Sequence, residues 1–252
     1  MSRHFLPDRS EKEVSWHLRR DFLAAAAAWT ASGGLRTAQA QARSNIVELQ
    51  GDALLNGTRL LPQHTIQSGD QISTGPGTTL VFVVGNASFK LRQNTQMSVE
   101  RGDSINAVSI LRLLSGAVAS VWGRGDRRMI VTPTLTAGIR GTGVYTEVSP
   151  QDRGRSYFCN CYGVVDLSAT GERLTSRSEY HQGFWAETEP RGGRMLTPAG
   201  AINHTDEEME MLARLVGQRT AWQIKGRKGN RDGYGSMQES AGQTHPAMAP
   251  RR

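Results

Sequence analysis

The feature that most constrains this chain is a run of short apolar segments broken by turn residues at intervals of roughly ten positions. Residues 81–84 (Val-Phe-Val-Val) have the composition of a buried strand, Gly85-Asn86 that of a tight hairpin turn, and residues 88–92 alternate between polar and apolar. Repeated short strands of this kind are typical of sandwiches and coiled stacks. We therefore predict a mainly β domain over residues 45–167, either sandwich-like or a coiled stack of short strands.

Further strands are predicted in the middle of this region. Residues 108–114 and 117–122 are apolar, and Gly116 between them is interpreted as the break between two strands. A third strand is predicted over residues 129–132, after a Gly-containing turn.

A different periodicity begins near residue 205, where we predict the single amphipathic helix (205–217) of a C-terminal extension, 168–225. Thr205 and Glu208 have the spacing of a capping box, and Gly217 can end the helix. The apolar residues that share one helical face are Met209, Leu212 and Val216. We expect this face to pack on the β domain, with the methionine as part of the core.

The last stretch, residues 226–252, is rich in Gly, Ser, Gln, Pro and charged residues and has few large apolar ones. Such a composition cannot bury enough apolar surface to offset the entropy of ordering. We predict a disordered tail, with its basic residues, Lys228 and Arg231 among them, as a solvated end.

The first forty residues have the three parts of an export signal. Arg19-Arg20 precedes a short Ala-rich apolar segment, and Ala38-Gln39-Ala40 has the small residues of a cleavage site. The arginine pair favours the twin-arginine route, so residues 1–40 are predicted to be a twin-arginine signal peptide and the mature protein to be periplasmic. The alternative is a short N-terminal helix of the folded protein.

Charge and hydropathy restrict the partners. No apolar stretch approaches the roughly 20 residues that span a bilayer, so we expect no transmembrane segment in the mature chain. The chain is mildly basic, with 30 Lys and Arg against 23 Asp and Glu. Because a periplasmic protein does not meet DNA or RNA, we expect no nucleic-acid partner.

One stretch is specific enough to suggest a family. Residues 131–142 read Val-Thr-Pro-Thr-Leu-Thr-Ala-Gly-Ile-Arg-Gly-Thr, and residues 68–75 and 113–118 carry weaker matches. With these motifs, the segment of about residues 45–148 resembles the FecR domain. The resemblance implies a periplasmic β domain, which in the regulatory members senses a signal at the outer membrane and relays it through a membrane helix to a sigma factor.

We expect this chain to lack the cytoplasmic anti-sigma region and the membrane anchor of those members. The resemblance then implies a periplasmic sensing or interaction module, in envelope signalling or iron-related regulation, that binds an envelope protein or a small ligand.

The residues that carry the resemblance also have a structural interpretation. Pro133 can end a strand, and Gly138 and Gly141 can supply positive φ or close approach. Arg140 can donate hydrogen bonds to several carbonyls, and Thr142 completes the motif. The alternative is an anion site built from glycine amides and Arg140.

The two cysteines of the chain, Cys159 and Cys161, are flanked by aromatic residues, which favours a strand. Residues two apart on a strand share a face, so the thiols are expected to project together. Three interpretations stay open. The pair can form a strained, redox-sensitive disulfide, it can bind copper(I) or zinc with His181 and His204 as a Cys2His2 set, or it can remain as reduced structural thiols.

The sequence carries no pattern that predicts an enzyme. No Ser or Cys has the surroundings of a nucleophile elbow, and no paired carboxylates flank an obvious site. Three functions are therefore considered: a FecR-type binding module, a metal-binding or redox-sensing protein that uses the cysteine pair, and a structural module of an envelope assembly.

Overall fold

The structure is a computed structural model that describes residues 44–102, 107–125 and 128–237. The predicted signal peptide, residues 1–40, lies outside the described residues, as does the end of the predicted tail, 238–252. The described residues form a mainly β protein with an amphipathic helix near the C-terminal end, as predicted.

The described residues contain sixteen strands, two α-helices and one short 3-10 helix. The strands are β1 Ile46–Gln50, β2 Ala53–Leu55, β3 Thr58–Arg59, β4 Gln71–Thr74, β5 Thr79–Val84, β6 Ala87–Leu91, β7 Gln96–Arg101, β8 Val108–Trp122, β9 Arg128–Val131, β10 Thr136–Ile139, β11 Gly143–Ser149, β12 Arg155–Ala169, β13 Glu172–Ser178, β14 Tyr180–Arg191, β15 Arg194–Ala199 and β16 Tyr234–Gly235. The helices are α1 Asp206–Leu215 and α2 Ala221–Lys225, and the 3-10 helix spans Pro150–Asp152.

Two curved sheets share the long strands β8 and β12 and enclose a barrel-like core. Before Gly116, β8 pairs with β7 and β9, and from Gly116 onward it pairs with β11 and β6. The strand β12 changes partners at Gly163, from β11 and β14 to β10 and β13. Both glycines have positive φ, +78° and +103°, which a residue with a Cβ adopts only under strain.

Strand β8 passes from one sheet to the other at Gly116 without ending there. The prediction of two strands separated by Gly116 is therefore wrong. Glycine lets one strand continue from the first sheet into the second instead of ending it. We call the sheet of β1, β5, β6, β11, β14, β15, β16 and the adjoining parts of β8 and β12 sheet 1, and the remainder sheet 2.

The core between the sheets is built from the apolar residues that alternate along the strands. Phe82 and Phe89 lie on paired strands of the predicted hairpin, with ring centroids 5.0 Å apart, and Phe89 meets the edge of Trp122 at 5.2 Å. The turn between β5 and β6 falls at Gly85, which has φ +58°. The hairpin predicted from residues 81–92 is therefore confirmed.

The β domain extends beyond its predicted end at residue 167. Strands β13, β14 and β15 continue the sheets to Ala199, within the segment predicted as a C-terminal extension. The apolar signal is weak in β13 (Glu-Arg-Leu-Thr-Ser-Arg-Ser), where the arginine side chains face outward. The strand is therefore specified by its pairing with β12 more than by its own composition.

The predicted helix is present as α1, two residues shorter than expected at its C-terminal end. The capping box is confirmed, because Glu208 N donates to Thr205 Oγ1 and Thr205 N donates to Glu208 Oε2. Met209 and Leu212 are fully buried. The short helix α2 was not predicted, although Thr220 and Gln223 form a second capping box of the same kind.

The prediction of disorder from residue 226 is wrong for residues 226–237. Strand β16 pairs with β14, and Met237 is buried. The segment is held by backbone groups: Gly183 N donates to Gly233 O at 3.0 Å, and Gly233 has φ +90°. Composition could not show this, because glycines supply close approach rather than apolar area.

Residues 200–237, named here the closing segment, cover the outer face of sheet 1. Their apolar residues form a second core with that face, and the members from the closing segment are Met209, Leu212, Ala213, Trp222 and Met237. No helix among the described residues has the length and apolarity required to cross a membrane.

Candidate metal centre

The first half of β12 is buried on both faces, and the alternation of the strand sorts its residues between two cores. Phe158 points into the core between the sheets, whereas Cys159 and Cys161 point toward the closing segment. The two thiols are fully buried, and their sulfur atoms lie 3.9 Å apart without a bond between them. The prediction that both project from one face is confirmed.

His181 comes from the neighbouring strand β14 and has an unusual backbone. Its φ is +47°, in the left-handed region that a residue with a Cβ rarely adopts. The pairing with β16 shifts register between Tyr180 and Gln182, so a bulge lies at this position. The conformation costs about 1–3 kcal/mol, and it brings Nδ1 of His181 to 3.7 Å from Sγ of Cys159.

His204 enters from the closing segment, in the loop that leads into α1. Its Nε2 lies 3.4 Å from Sγ of Cys161 and 3.1 Å from Nδ1 of His181. One ligand atom from each of the four residues lies within 4.8 Å of the others, and all four residues are buried. The structure therefore brings together the complete set that the sequence suggested as a Cys2His2 site.

Each histidine donates a hydrogen bond from the ring nitrogen that faces away from the cluster. Nε2 of His181 donates to Oδ1 of Asp206 at 2.9 Å, and Nδ1 of His204 donates to the carbonyl of Ile202 at 2.6 Å. Because a carbonyl and an ionised carboxylate can only accept, these contacts fix the tautomer of each neutral ring. The lone pairs of the two inner nitrogens then face each other across 3.1 Å.

Asp206, the first residue of α1, is held by three further donors. Tyr180 Oη donates to it at 2.9 Å, and Lys228 and Arg231 each form an ion pair with it at 2.8 Å. Burial raises the pKa of this carboxyl, but the hydrogen bonds from His181, Lys228 and Tyr180 outweigh burial and hold the pKa well below its usual range. Asp206 is therefore an ionised, buried acceptor for His181.

The two thiols differ in acidity. Burial raises the pKa of Cys159, but hydrogen bonds from Cys161, His181 and His204 more than offset it and bring the pKa well below its usual value. Burial and the neighbouring Cys159 sulfur raise the pKa of Cys161. Burial lowers the pKa of His181, yet the hydrogen bond to Asp206 outweighs it and the pKa rises. Of the two thiols, Cys159 is therefore the one that loses its proton more readily.

Aromatic rings shield the cluster from water. Tyr145 stacks on the His204 ring at 4.6 Å between centroids, and Trp222 stacks on the His181 ring at 5.2 Å. Both aromatic residues are buried. The result is a dry site, in which an unpaired charge is costly.

Four of the six distances between the ligand atoms lie close to the edges of a tetrahedron around a metal ion. With metal–sulfur bonds of about 2.3 Å and metal–nitrogen bonds of about 2.0–2.1 Å, those edges measure about 3.8 Å between sulfurs, about 3.6 Å between sulfur and nitrogen, and about 3.4 Å between nitrogens. The corresponding values are 3.9 Å between the sulfurs, 3.7 and 3.4 Å for two of the sulfur–nitrogen pairs, and 3.1 Å between the nitrogens, and the other two pairs lie within 4.8 Å. The donor set and its spacing therefore fit one four-coordinate ion.

The residues of the motif at 131–142 are not part of this cluster. Gly141 has φ +69°, as its predicted backbone role requires. Gly138 lies in β10 without positive φ, and a Cβ there would meet Asp166 at an ordinary 3.7 Å, so the prediction for Gly138 is wrong. Arg140 was predicted to bond carbonyls, but it is exposed and its Nε donates to the Asp166 carboxylate at 3.0 Å.

The remaining two residues of that motif have structural surroundings. Pro133 lies in the turn between β9 and β10, shortly after the end of β9, as predicted. Thr142 is fully buried just before β11.

Sequence reasoning missed the outer partners of the two histidines. Asp206 falls within the predicted helix 205–217 without a role of its own, and Lys228 and Arg231 were predicted to lie in a solvated tail. Arg231 instead donates to Asp206 and to the carbonyl of His204. The one signal in the sequence was the spacing of His204 and Asp206, two residues apart at the start of a helix.

Fold and site together define a mainly β protein with a closed, buried set of two cysteines and two histidines. No protein-family model, curated protein or solved structure matches the chain. Its function is therefore inferred from the site itself.

Proposed function

We propose that this chain is a metal-binding protein whose Cys159, Cys161, His181 and His204 hold a single copper(I) or zinc ion. The observation that carries the proposal is the convergence of four ligand atoms to within 4.8 Å in a buried site. Thiolate and imidazole ligands of this kind suit these two metals.

The electrostatics of the site also support an ion. Two thiols, of which Cys159 is the more acidic, and the inner nitrogens of both imidazoles are crowded into a volume closed by Tyr145 and Trp222. Buried charge is tolerated when it is paired or coordinates a metal. A cation at the centre satisfies both sulfurs and both nitrogens at once, whereas a proton satisfies two atoms at most.

The closed shape restricts what the ion can do. Catalytic zinc sites keep a position open for water or substrate, whereas sites with four protein ligands are structural. Here all four ligands come from the chain and are buried. We therefore propose a structural or sensing role for the ion, without catalysis.

A redox role for the cysteine pair competes with metal binding. A disulfide needs its sulfurs about 2.05 Å apart, so the present 3.9 Å has to close and two metal ligands are lost. Oxidation and metal binding are then mutually exclusive at this site.

Elemental analysis of the full chain, purified under reducing conditions without chelator, tests the proposal. We expect about one copper or zinc per chain, and loss of affinity in Cys159→Ser, Cys161→Ser, His181→Ala and His204→Ala. The matched control is His64→Ala, a histidine in a turn far from the cluster in sequence and outside its ligand set. Metal-free protein with two freely alkylated thiols would contradict the proposal.

We propose FecR-type sensing or docking at the envelope as a second function. It is supported by the motif at residues 131–142 and by the positive φ that the motif predicts at Gly141. Photo-crosslinking in the periplasm from position 140, with position 59 as the exposed control, tests it. A partner captured only from position 140 is expected, and capture at neither position would contradict a docking role for this motif.

A further inference from the structure

We infer that the ion is zinc and that it acts as a clasp that fastens the closing segment to sheet 1. This inference rests on the proposed metal site and adds to it the identity of the ion and the two parts that it joins.

The ligands come from two separate parts of the chain. Cys159, Cys161 and His181 belong to strands β12 and β14, whereas His204 belongs to the closing segment. The acceptors behind both histidines, Asp206 and the carbonyl of Ile202, also lie in the closing segment. An ion bound at the centre therefore links the sheet to the segment directly and through the His181–Asp206 contact.

The charge of the site favours zinc over copper(I). Two thiolates and a divalent ion form a neutral unit, whereas two thiolates and a monovalent ion leave one negative charge in a dry environment. Arg231 and Lys228 supply no spare positive charge for it, because these two cations are paired with three carboxylates, those of Asp206, Glu207 and Glu210. A neutral unit has the lower cost of burial.

The coordination number points the same way. Four protein ligand atoms within 4.8 Å of one another, with no position left for water or substrate, are the closed set of structural zinc sites. Zinc has no redox chemistry of its own, so a zinc centre keeps its ligands in one arrangement.

Other contacts hold the far side of α1 without any metal. Lys90 forms an ion pair with Glu208 at 2.7 Å, and Ser88 Oγ donates to the Leu212 carbonyl at 2.8 Å. Residues 200–206 also make metal-free contacts with sheet 1, among them hydrogen bonds from Tyr157 Oη to Gly200 O, from Arg92 to the carbonyl of Asn203, and from Asn203 Nδ2 to Glu147. These are individual hydrogen bonds, whereas the centre joins two strands of the sheet to the segment at one buried point. We therefore expect zinc to control the entry into α1 and the residues from 226 to 237 that fold back on Asp206.

Hydrogen exchange of the full chain, with zinc bound and after chelation under reducing conditions, tests the clasp. We expect amides of residues 200–206 and 226–237 to exchange at least ~10-fold faster without zinc, because local opening becomes easier. Amides of β4 and β7, which belong to sheet 2 and not to the sheet that the closing segment covers, should change less than ~3-fold. Equal protection of the closing segment in both states would overturn the inference.

The variant that separates the clasp from the metal site is His204→Ala. Three ligands stay on the sheet, so we expect weakened but measurable zinc binding and loss of the zinc-dependent protection of the segment. His204→Cys keeps a zinc ligand and should restore that dependence, and His64→Ala should behave as the unmodified chain. Rescue by cysteine also guards against a folding defect in the alanine variant.

The outcomes distinguish this inference from the proposed function. A protein that binds one zinc through Cys159 and Cys161 but shows no zinc-dependent protection of the segment has the metal site without the clasp. A protein that binds copper(I) tightly and releases zinc to a weak chelator has the metal site with the wrong ion. A protein that binds neither ion refutes both proposals.

Discussion

Nε2 of His181, on a strand of sheet 1, donates a hydrogen bond of 2.9 Å to the Asp206 carboxylate, on the first residue of helix α1. The contact fixes the ring so that Nδ1 faces the thiols of Cys159 and Cys161. Carboxylates behind ligating histidines orient the ring and raise its basicity. Asp206 thus belongs to the centre, although its carboxylate contacts the outer nitrogen of His181 and not the position of the ion.

Asp206→Asn should lower zinc affinity by about 10–100-fold while the four ligands remain. The amide keeps the size of the side chain but removes the charge that supports His181 and pairs with Arg231. Competition against a chromophoric chelator measures the change. Glu207→Gln is the matched control, because Glu207 is the next residue and is exposed, and an equal loss in both variants would argue against a specific role for Asp206.

The buried ion pair between Arg155 and Glu187 should make a pH-dependent contribution to stability. Burial raises the pKa of Glu187, but hydrogen bonds from Arg155 and Thr197 outweigh it, so the pKa in the folded protein is lowered. A lowered folded pKa gives stability that is present above the unfolded pKa and is lost as the pH falls through the folded one.

Glu187→Gln should therefore reduce the free energy of unfolding by about 2 kcal/mol at pH 7. The difference from the unmodified chain should shrink below about pH 4.5, where the unfolded carboxyl begins to bind its proton. Urea unfolding at several pH values measures it, and effects common to both proteins cancel. The exposed pair of Arg153 and Glu189 gives the control Glu189→Gln, which should change stability by less than about 1 kcal/mol.

Gly141→Ala should destabilise the fold by about 1–2 kcal/mol, because a Cβ is strained at φ +69°. Space is not the cause, since the nearest atom to such a Cβ is Arg124 Cγ at 3.5 Å. Gly138→Ala, in the same motif but without positive φ, should stay within about 0.5 kcal/mol. Identical unfolding midpoints for the two variants would remove the backbone argument for Gly141.

Export remains a prediction from residues 1–40. Changing Arg19 and Arg20 together to Lys should leave precursor in the cytoplasm, because the twin-arginine route reads the pair. The periplasmic form should begin at Gln41 or Arg43 by N-terminal sequencing. A periplasmic protein that still begins at Met1 would contradict cleavage, and unimpaired export of the double-lysine variant would contradict the route.

Much of the β fold could be predicted from local pattern. The hairpin of residues 81–92 and the capping box of Thr205 and Glu208 depend on neighbours in sequence, and both are present. Strand β13 and the segment 226–237 could not be predicted, because pairing and backbone contacts hold them while their own apolar content is low.

The same distinction applies to the candidate centre. The shared face of Cys159 and Cys161 follows from strand geometry, and the two histidines were suggested only as residues that can complete a donor set. Their approach depends on the left-handed backbone at His181 and on the return of the chain at His204, neither of which has a local signature. Arg231 was unpredictable for the same reason, since 25 residues separate it from Asp206.

The most direct test of the metal centre is X-ray absorption at the zinc edge on the full chain loaded with one equivalent of zinc. The account predicts two sulfur neighbours at about 2.3 Å and two nitrogen neighbours at about 2.0–2.1 Å. Cys159→Ser and Cys161→Ser should each remove one sulfur from that shell. A spectrum with only oxygen and nitrogen neighbours, unchanged by either substitution, would contradict the Cys2His2 centre.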